Sequence, residues 1–412
     1  MTASPPIGGS PLPSISMVML STKSSLIQLF GGAAAAANLY ATHYSGTINH
    51  LAFNNASLTL VSSVQTGQAL PSWITYDSAG KLYIPDENFV NEQETGVLVS
   101  YSIDANGALT KAGNATTPRG GVSTTLYGGK DGKSFIANAH YHTAQVSTYK
   151  LPLSQGQPLQ TLNYTLDGPG ADPDRQEAPH PHQVLVDPTG NFLLVTDLGS
   201  DSIHINKIDR KSGKLTACPS VKTLYGAGPR HAAFWTPGCA KSKGSHGKGT
   251  FLYVANELSN TVTGWTVSYP RSGCLKLTPN QIITPYEGNS SAPEGASLGE
   301  IRVQGNFLYT SNRADQSFKP YDSLTQYNIA ANGSLTWSDL TSAYGTLPRS
   351  FDINKAGNYV AIGGQTSDNV AIVRRETETG KLSGLVANLT VTGPSDMNSS
   401  NPTGLNTVIW AD

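Results

Sequence analysis

The sequence carries little charge and contains no long hydrophobic run. Only 13% of its 412 residues are charged, and the formal net charge is −1. A general nucleic-acid-binding protein needs a basic face to displace counterions from phosphates, so this charge balance argues against nucleic-acid partners. No stretch of eighteen apolar residues is present, and the most apolar run, residues 26–37, is interrupted by glutamine and glycine. A membrane span is therefore not expected.

Cysteine is also scarce. The chain has three cysteines, Cys218, Cys239 and Cys274, and an odd number allows at most one disulfide bond, whose partners the sequence does not identify. The cysteines lack the spacing of a zinc site. His140 and His142 would share one face of a strand, but the sequence supplies no third metal ligand for them. We therefore expect no metal site.

Turn-forming residues, in contrast, are abundant. The 42 glycines and 25 prolines, together with the low charge, favour a turn-rich all-β protein. A pattern of strands and glycine turns recurs about every 45 residues, a period typical of propeller blades. Its aromatic-aliphatic second strand occurs seven times, beginning at Asn38, Lys81, Lys133, Asn191, Thr250, Asn306 and Asn358. The sequence therefore predicts a single seven-bladed β-propeller over residues 38–412.

The first repeat lacks the Pro- or Gly-led strand that opens the other six. A segment with this pattern, NPTGLNTVIW, begins at Asn401. We expect this C-terminal segment to pair with residues 38–44 in the first blade and to close the ring, which removes exposed sheet edges. An open β-sandwich with weak internal similarity is the alternative.

Residues 1–37 lie outside the repeat and are interpreted as an N-terminal arm or a signal peptide. From Met17 onward this segment has one lysine, an apolar middle and small residues before Asn38, as in secretory signals. Seven Asn-x-Ser/Thr sequons also favour secretion and glycosylation. They lie at Asn55, Asn114, Asn163, Asn289, Asn332, Asn388 and Asn398. We predict a secreted protein, with a cytoplasmic location as the alternative.

Propeller geometry gathers ionisable residues at one mouth of the channel, because the start of strand one and the end of strand two open on the same face. The second strands end at Glu87, Glu257 and Arg313. The first strands begin at residues that include His180, His182, Arg230, His231 and Arg349. Guanidinium groups bind carboxylates or stabilise an oxyanion, and Glu257 and His182 can move protons. The alternatives are an ion pair between Glu257 and Arg313, and a hydrogen bond from His182 to a neighbouring loop.

Several stretches resemble a known family. HPHQVLVDPTGNFLLVTDLGSDSI, GPRHAAF, FLYVANELSNTV and FLYTSNR are similar to the seven-bladed lactonase family, which includes bacterial phosphogluconolactonase and fungal carboxy-cis,cis-muconate cyclase. The resemblance implies an active site of His182, Arg230, Glu257 and Arg313, with Glu257 and His182 as acid and base and the arginines as carboxylate binders. It also implies that no metal or organic cofactor is needed. SFKPYDSLTQY after Arg313 and NAHYHTAQ in the third blade depart from the family pattern, which leaves the substrate open.

Three functions are compatible with these residues. The first is a lactonase that opens a lactone of a carboxylated or sugar-acid substrate, using Glu257, His182 and the arginines. The second is a carboxy-cis,cis-muconate cyclase-like cycloisomerase, and the third is a non-catalytic secreted glycoprotein. The expected partner is a small-molecule lactone or dicarboxylic acid. Six residues are predicted to bind it: Arg230, Arg313, His180, His231, Arg349 and Glu87.

Overall fold

A computed structural model describes residues 1–5, 8–9, 36–89, 95–166, 168–238, 249–271, 273–391 and 404–412. The remaining residues include most of the predicted N-terminal arm, Cys239 and Asn398, so these predictions lie outside the described part of the chain. No described helix is long and apolar enough to cross a bilayer.

The described chain from Ala36 onward consists of β-strands and one short 3₁₀ helix, Glu287–Asn289. The strands of its first half are β1 (Ala37–His43), β2 (Thr47–Asn54), β3 (Ser57–Gln65), β4 (Thr75–Asp77), β5 (Lys81–Pro85), β6 (Thr95–Ile103), β7 (Leu109–Pro118), β8 (Gly121–Tyr127), β9 (Phe135–His140), β10 (Gln145–Lys150), β11 (Gln160–Asn163), β12 (Pro181–Val186), β13 (Phe192–Asp197), β14 (Ser202–Ile208), β15 (Leu215–Ala217) and β16 (Val221–Lys222). The strands of its second half are β17 (Pro229–Trp235), β18 (Phe251–Asn256), β19 (Thr261–Ser268), β20 (Lys276–Ile283), β21 (Ser297–Gln304), β22 (Phe307–Arg313), β23 (Ser323–Ile329), β24 (Leu335–Ser342), β25 (Pro348–Ile353), β26 (Tyr359–Gly364), β27 (Asn369–Arg375), β28 (Leu382–Thr390) and β29 (Leu405–Trp410).

These strands form seven antiparallel sheets, one for each predicted blade, within the described residues. The blades are numbered in the order in which their second strands occur in the chain. Blade 1 is β29-β1-β2-β3, blade 2 is β4 to β7, blade 3 is β8 to β11, and blade 4 is β12 to β15 with β16 beside β14. Blades 5, 6 and 7 are β17 to β20, β21 to β24, and β25 to β28. The prediction of an all-β, seven-bladed propeller is confirmed.

The ring closes where β29 pairs with β1, as predicted. Leu39 lies opposite Trp410 and Ala41 opposite Val408. The side chains of β29 also pack into a core shared by blades 1 and 7, which includes Leu405, Val408 and Trp410. Blade 1 is therefore built from both ends of the described propeller, and β1 is paired along both of its edges.

Tyrosines connect neighbouring blades through the glycine hairpins seen in the sequence repeat. Tyr40 donates its hydroxyl hydrogen to the carbonyl of Gly107 at 2.7 Å, and Tyr253 donates to Gly333 at 2.8 Å. Both glycines have positive φ, which fits them to a tight turn. Tyr127 and Tyr309 make the same contact to the glycines of the next blades. A disulfide between Cys218 and Cys274 further joins blade 4 to blade 5, which identifies the pairing that the sequence left open.

Candidate active site

A β-bulge at the start of the first strand turns one side chain toward the channel in several blades. The pairing of β12 with β13 skips His182, that of β17 with β18 skips Arg230, and that of β25 with β26 skips Arg349. A bulged residue has no partner across the ladder, so its side chain is re-aimed. These three side chains all line one small cavity on the channel, together with Val122, the bulged residue of blade 3.

The mouth of the channel holds a larger cavity of about 350 Å³, a size suited to a small molecule. Five of the predicted site residues line it: Glu87, His182, Glu257, Arg313 and Arg349. The rest of the wall consists of Tyr44, Phe89, Tyr141, His142, Arg175 and Gln365. Tyr141 and His142 belong to NAHYHTAQ, the stretch of blade 3 that departs from the family pattern.

Three guanidinium groups surround the carboxylate of Glu257. Its Oε1 lies 2.8 Å from Arg175 Nη2 and 2.9 Å from Arg313 Nη2, and its Oε2 lies 2.8 Å from Arg230 Nε. Burial alone would raise the pKa of Glu257, but these three arginines lower it well below the usual range of a carboxyl. The carboxylate is therefore ionised and weakly basic. The ion pair with Arg313 that we considered as an alternative is present.

Arg175 was not predicted from the sequence. It lies between β11 and β12, in a segment outside the blade pattern, and its Nε also lies 3.4 Å from the hydroxyl of Tyr141. Its side chain is 40% exposed, whereas that of Arg313 is 9% exposed. The repeat could not reveal this residue, because an insertion has no equivalent in the other blades.

His182 lies in the wall of the same cavity and contacts a second histidine. Its Nδ1 lies 3.2 Å from Nε2 of His231, and its ring meets Tyr141 edge to face. Burial and the nearby Arg230 hold the pKa of His182 well below its usual range. The imidazole is therefore neutral near pH 7 and has one nitrogen with a free lone pair. It bonds to a residue of blade 5 rather than to a loop.

Three predicted site residues lie behind the cavity instead of in its wall. Arg230, 1% exposed, donates from Nη1 to the carbonyl of Gly299 at 2.8 Å, in addition to its ion pair with Glu257. His180 stacks on Tyr141, and its two ring nitrogens face the Tyr141 carbonyl and Glu177. His231 is 2% exposed and touches His182 from below. These residues support the wall, and their predicted roles as ligand contacts stay predictions.

The far side of the cavity contains a second, looser pair of charges. Arg349 Nη2 lies 3.7 Å from Glu87 Oε2, and Tyr44 donates a hydrogen bond to the same carboxylate. Arg349 comes from blade 7 and Glu87 from blade 2, so this contact spans blade 1, which lies between them and contributes Tyr44. Counting Arg175, Arg230, Arg313 and Arg349 against Glu87 and Glu257 leaves a surplus of two positive charges at the site.

Other polar groups of the described chain offer no comparable arrangement. A cavity of about 390 Å³ beside blade 4 is lined by Asp201 and Lys222, but Asp201 accepts from the backbone of Gly226 and Gly228, and Lys222 donates to the Ser200 carbonyl. No group of three His, Cys, Asp or Glu side chains that could hold a metal ion is found among the described residues.

A closed propeller with a basic cavity at the mouth of its channel is typical of β-propellers that bind or convert small molecules. The chain belongs to the seven-bladed β-propeller lactonase family, whose sequence profile matches residues 37–399. The predicted family resemblance is confirmed, and with it the expectation of a lactonase-type enzyme at the level of the family.

Named relatives agree with this assignment. A probable 6-phosphogluconolactonase of Arthroderma benhamiae is 34% identical over 78% of this chain and 78% of its own length. The 6-phosphogluconolactonase of Bacillus subtilis is 28% identical over 73% of this chain and 79% of its own. The solved structure of the periplasmic gluconolactonase of Pseudomonas aeruginosa has a TM-score of 0.72 and covers 88% of this chain and 98% of that one, at 23% identity, and it supports the fold.

Proposed function

We propose that this protein hydrolyses the lactone of a sugar acid that carries a second anionic group, a carboxylate or a phosphate. The observation that carries the proposal is a neutral imidazole, His182, in a cavity whose three guanidinium groups, together with Arg230 behind the wall, exceed the local carboxylates by two positive charges. An anionic substrate would balance that excess, and the imidazole would supply the base.

Unused hydrogen-bond donors in the wall of the cavity support a ligand rich in oxygen. Nε of Arg313 and Nε2 of Gln365 are buried and have no hydrogen-bond partner within the described residues. Buried donors are normally paired, so donors left unpaired at a cavity favour a ligand with acceptor oxygens. A lactone carbonyl, its ring oxygen and an anionic substituent are acceptors of this kind.

The proposed reaction uses His182 as base and acid in turn. His182 takes a proton from water, and the water oxygen attacks the lactone carbonyl carbon while Arg313 stabilises the resulting oxyanion. The bond between that carbon and the ring oxygen then breaks. The ring oxygen leaves as a hydroxyl after taking the proton back from His182, which yields the open hydroxy acid. Glu257 holds the arginines in position and is too weakly basic to compete for the proton.

A substrate panel with one variant tests this proposal. Purified protein is assayed with gluconolactone, 6-phosphogluconolactone and muconolactone, and with carboxymuconate as an open-chain substrate. We expect hydrolysis of at least one anionic lactone and a fall in kcat of about 10²- to 10⁴-fold in His182→Gln. Full activity in His182→Gln would contradict the proposal. Ring closure without change of mass would favour a cycloisomerase, and inactivity on the whole panel would favour a binding protein.

We further propose that the protein is exported and glycosylated. Disulfides persist mainly in oxidising compartments, so the Cys218–Cys274 bond supports export. Among the sequons in the described residues, five asparagines are exposed: Asn55, Asn163, Asn289, Asn332 and Asn388. Expression in a eukaryotic host with and without residues 1–37 tests this, because only the full chain should reach the medium and lose mass on glycosidase treatment. Retention of both forms inside the cell would contradict it.

A further inference from the structure

Three buried polar side chains lie in a row, or file, that extends from His182 away from the cavity. His182 Nδ1 lies 3.2 Å from His231 Nε2, and His231 Nδ1 lies 3.1 Å from Glu300 Oε2. Glu300 is fully buried, and its other oxygen, Oε1, accepts from the backbone N–H of Ile301 at 2.9 Å and from Arg302 Nη1 at 3.1 Å. Blades 4, 5 and 6 each contribute one residue to this His182–His231–Glu300 file.

The chemistry of the end group determines where the hydrogens lie along the file. Burial alone would raise the pKa of Glu300, but Arg302 and His231 lower it to about 2, so Glu300 is an acceptor only. Its Oε2 has no hydrogen-bond partner of ideal geometry among the described residues, and the one donor that approaches it is His231 Nδ1 at 3.1 Å. A carboxylate oxygen repels a bare ring nitrogen, so we expect this nitrogen to carry the hydrogen. Burial also lowers the pKa of His231 to about 4, so the ring is neutral near pH 7 and carries one hydrogen. Because that hydrogen is on Nδ1, Nε2 is bare. That bare nitrogen can only accept, and His182 Nδ1 must therefore donate to it.

Arg230 does not disturb this order. Its Nη1 lies 3.3 Å and 3.4 Å from the two ring nitrogens of His231. The same Nη1 donates to the carbonyl of Gly299 at 2.8 Å, which is shorter than either contact to the ring, so we assign its hydrogen bond to that carbonyl. The positive charge beside the ring further disfavours a protonated His231.

We propose that Glu300 and His231 are positioning residues that fix His182 in the tautomer whose Nε2 is bare and available to the cavity. The inference rests on the proposed role of His182 as the base. A neutral histidine in the other tautomer would present an N–H to the attacking water and could not take its proton. When His182 gains a proton on Nε2, its Nδ1–H keeps the same acceptor, so no group in the file has to move.

Glu300→Gln tests this arrangement, because it should reverse the direction of the hydrogen bonds along the file. The position of Oε1 must remain an acceptor for Ile301 N–H and Arg302, so the amide oxygen of glutamine takes that place and its NH₂ group faces His231. His231 Nδ1 then becomes an acceptor, its Nε2 donates to His182, and the hydrogen of His182 moves to Nε2. We expect kcat to fall by about 10²- to 10⁴-fold with little change in KM, because side-chain size is conserved and the wrong tautomer is selected.

The tautomers can also be measured directly, which keeps the test valid if the variant does not fold. The chain has nine histidines, and selective ¹⁵N labelling with His182→Gln and His231→Gln as assignment variants identifies the two signals. In the wild-type protein we expect both residues to carry their hydrogen on Nδ1, and in Glu300→Gln we expect both to carry it on Nε2. A merely structural role of Glu300 would leave the tautomer of His182 unchanged.

Asp187→Asn is the matched control, because it too replaces a buried carboxylate by an amide. Asp187 lies in blade 4 directly after β12, at the end of that strand away from His182. This variant should keep both tautomers and full kcat. A wild-type His182 with its hydrogen on Nε2, or a folded Glu300→Gln protein with normal kcat, overturns the positioning role. If His182→Gln is itself fully active, the proposed function fails; if it is inactive while Glu300→Gln is active, only the positioning role fails.

Discussion

On the side of blades 5 and 6, the cavity holds Glu257 against three guanidinium groups, whereas on the side of blade 4 it holds His182 against another histidine. Burial has opposite effects on the pKa values of a carboxyl and an imidazole, but the arginines lower both. Glu257 consequently becomes a very weak base with a permanent charge, while His182 becomes a neutral group with a free lone pair. In the proposed mechanism, the surroundings therefore assign charge stabilisation to Glu257 and proton transfer to His182.

The largest expected effect comes from removing the charge of Glu257. Glu257→Gln leaves buried guanidinium groups facing one another without an anion, and we expect a loss of about 3 to 5 kcal/mol in the free energy of unfolding. Urea denaturation at pH 7 measures it. Glu87→Gln is the matched control, because its arginine lies at 3.7 Å, and it should lose about 1 kcal/mol. Equal losses in the two variants would mean that the close ion pairs of Glu257 stabilise the fold no more than the longer contact of Glu87 does.

On acidification, His182 and Glu257 change the free energy of unfolding in different pH ranges. The folded pKa of His182 lies below its unfolded value of 6.5, so the unfolded chain takes up a proton first and stability falls as the pH drops below about 6.5. The folded pKa of Glu257 is also depressed, so its contribution is present above about pH 4.5 and is lost below that value. His182→Gln should retain about 1 to 2 kcal/mol more of its pH 7 stability than wild type at pH 5. Parallel stability curves for the two proteins between pH 7 and pH 5 would exclude a neutral buried His182.

A smaller effect is expected from removing one positive charge near His182. Arg349 is among the charges that lower the pKa of His182, so Arg349→Met should move the acidic limb of the kcat/KM profile to higher pH. Lys381→Met also removes a charge, but in the hairpin between β27 and β28, and should leave the profile in place. An unmoved acidic limb in Arg349→Met would indicate that another group controls it.

The smallest effect is expected for the exposed member of the arginine cluster. Arg175 is 40% exposed, so solvent and salt screen its attraction to Glu257, and Arg175→Ala should cost only about 0 to 1 kcal/mol of stability. Arg313→Ala, at 9% exposure, should cost several times more. Thermal unfolding at low and high salt distinguishes them, since only the Arg175 contribution should vanish in salt. A salt-independent loss in Arg175→Ala would place this residue among the buried pairs.

The fold and much of the site follow from the repeat, because each blade reuses one pattern of strand, turn and glycine. The seven second strands and the closing segment near Asn401 could be read directly. The side chains that face the cavity could not be predicted, because a one-residue bulge reverses the alternation of side chains along a strand. His182, the bulged residue of β12, therefore lies in the wall of the cavity, whereas the next residue, Gln183, does not. Arg175 was missed because it belongs to an insertion, and the Cys218–Cys274 pairing because spacing alone does not define contacts between blades.

The pairing of β29 with β1 has a consequence for how the protein is made. Ribosomes deliver the chain from its N-terminus, so β1 emerges long before the strand that must cover its edge. Until that strand arrives, β1 has an unpaired edge that other chains can pair with, and blade 1 is incomplete between Arg349 of blade 7 and Glu87 of blade 2. We expect a nascent chain that stops before Leu405 to aggregate and to lack a complete cavity. Synthesis through β29 is then the step that covers the edge of β1.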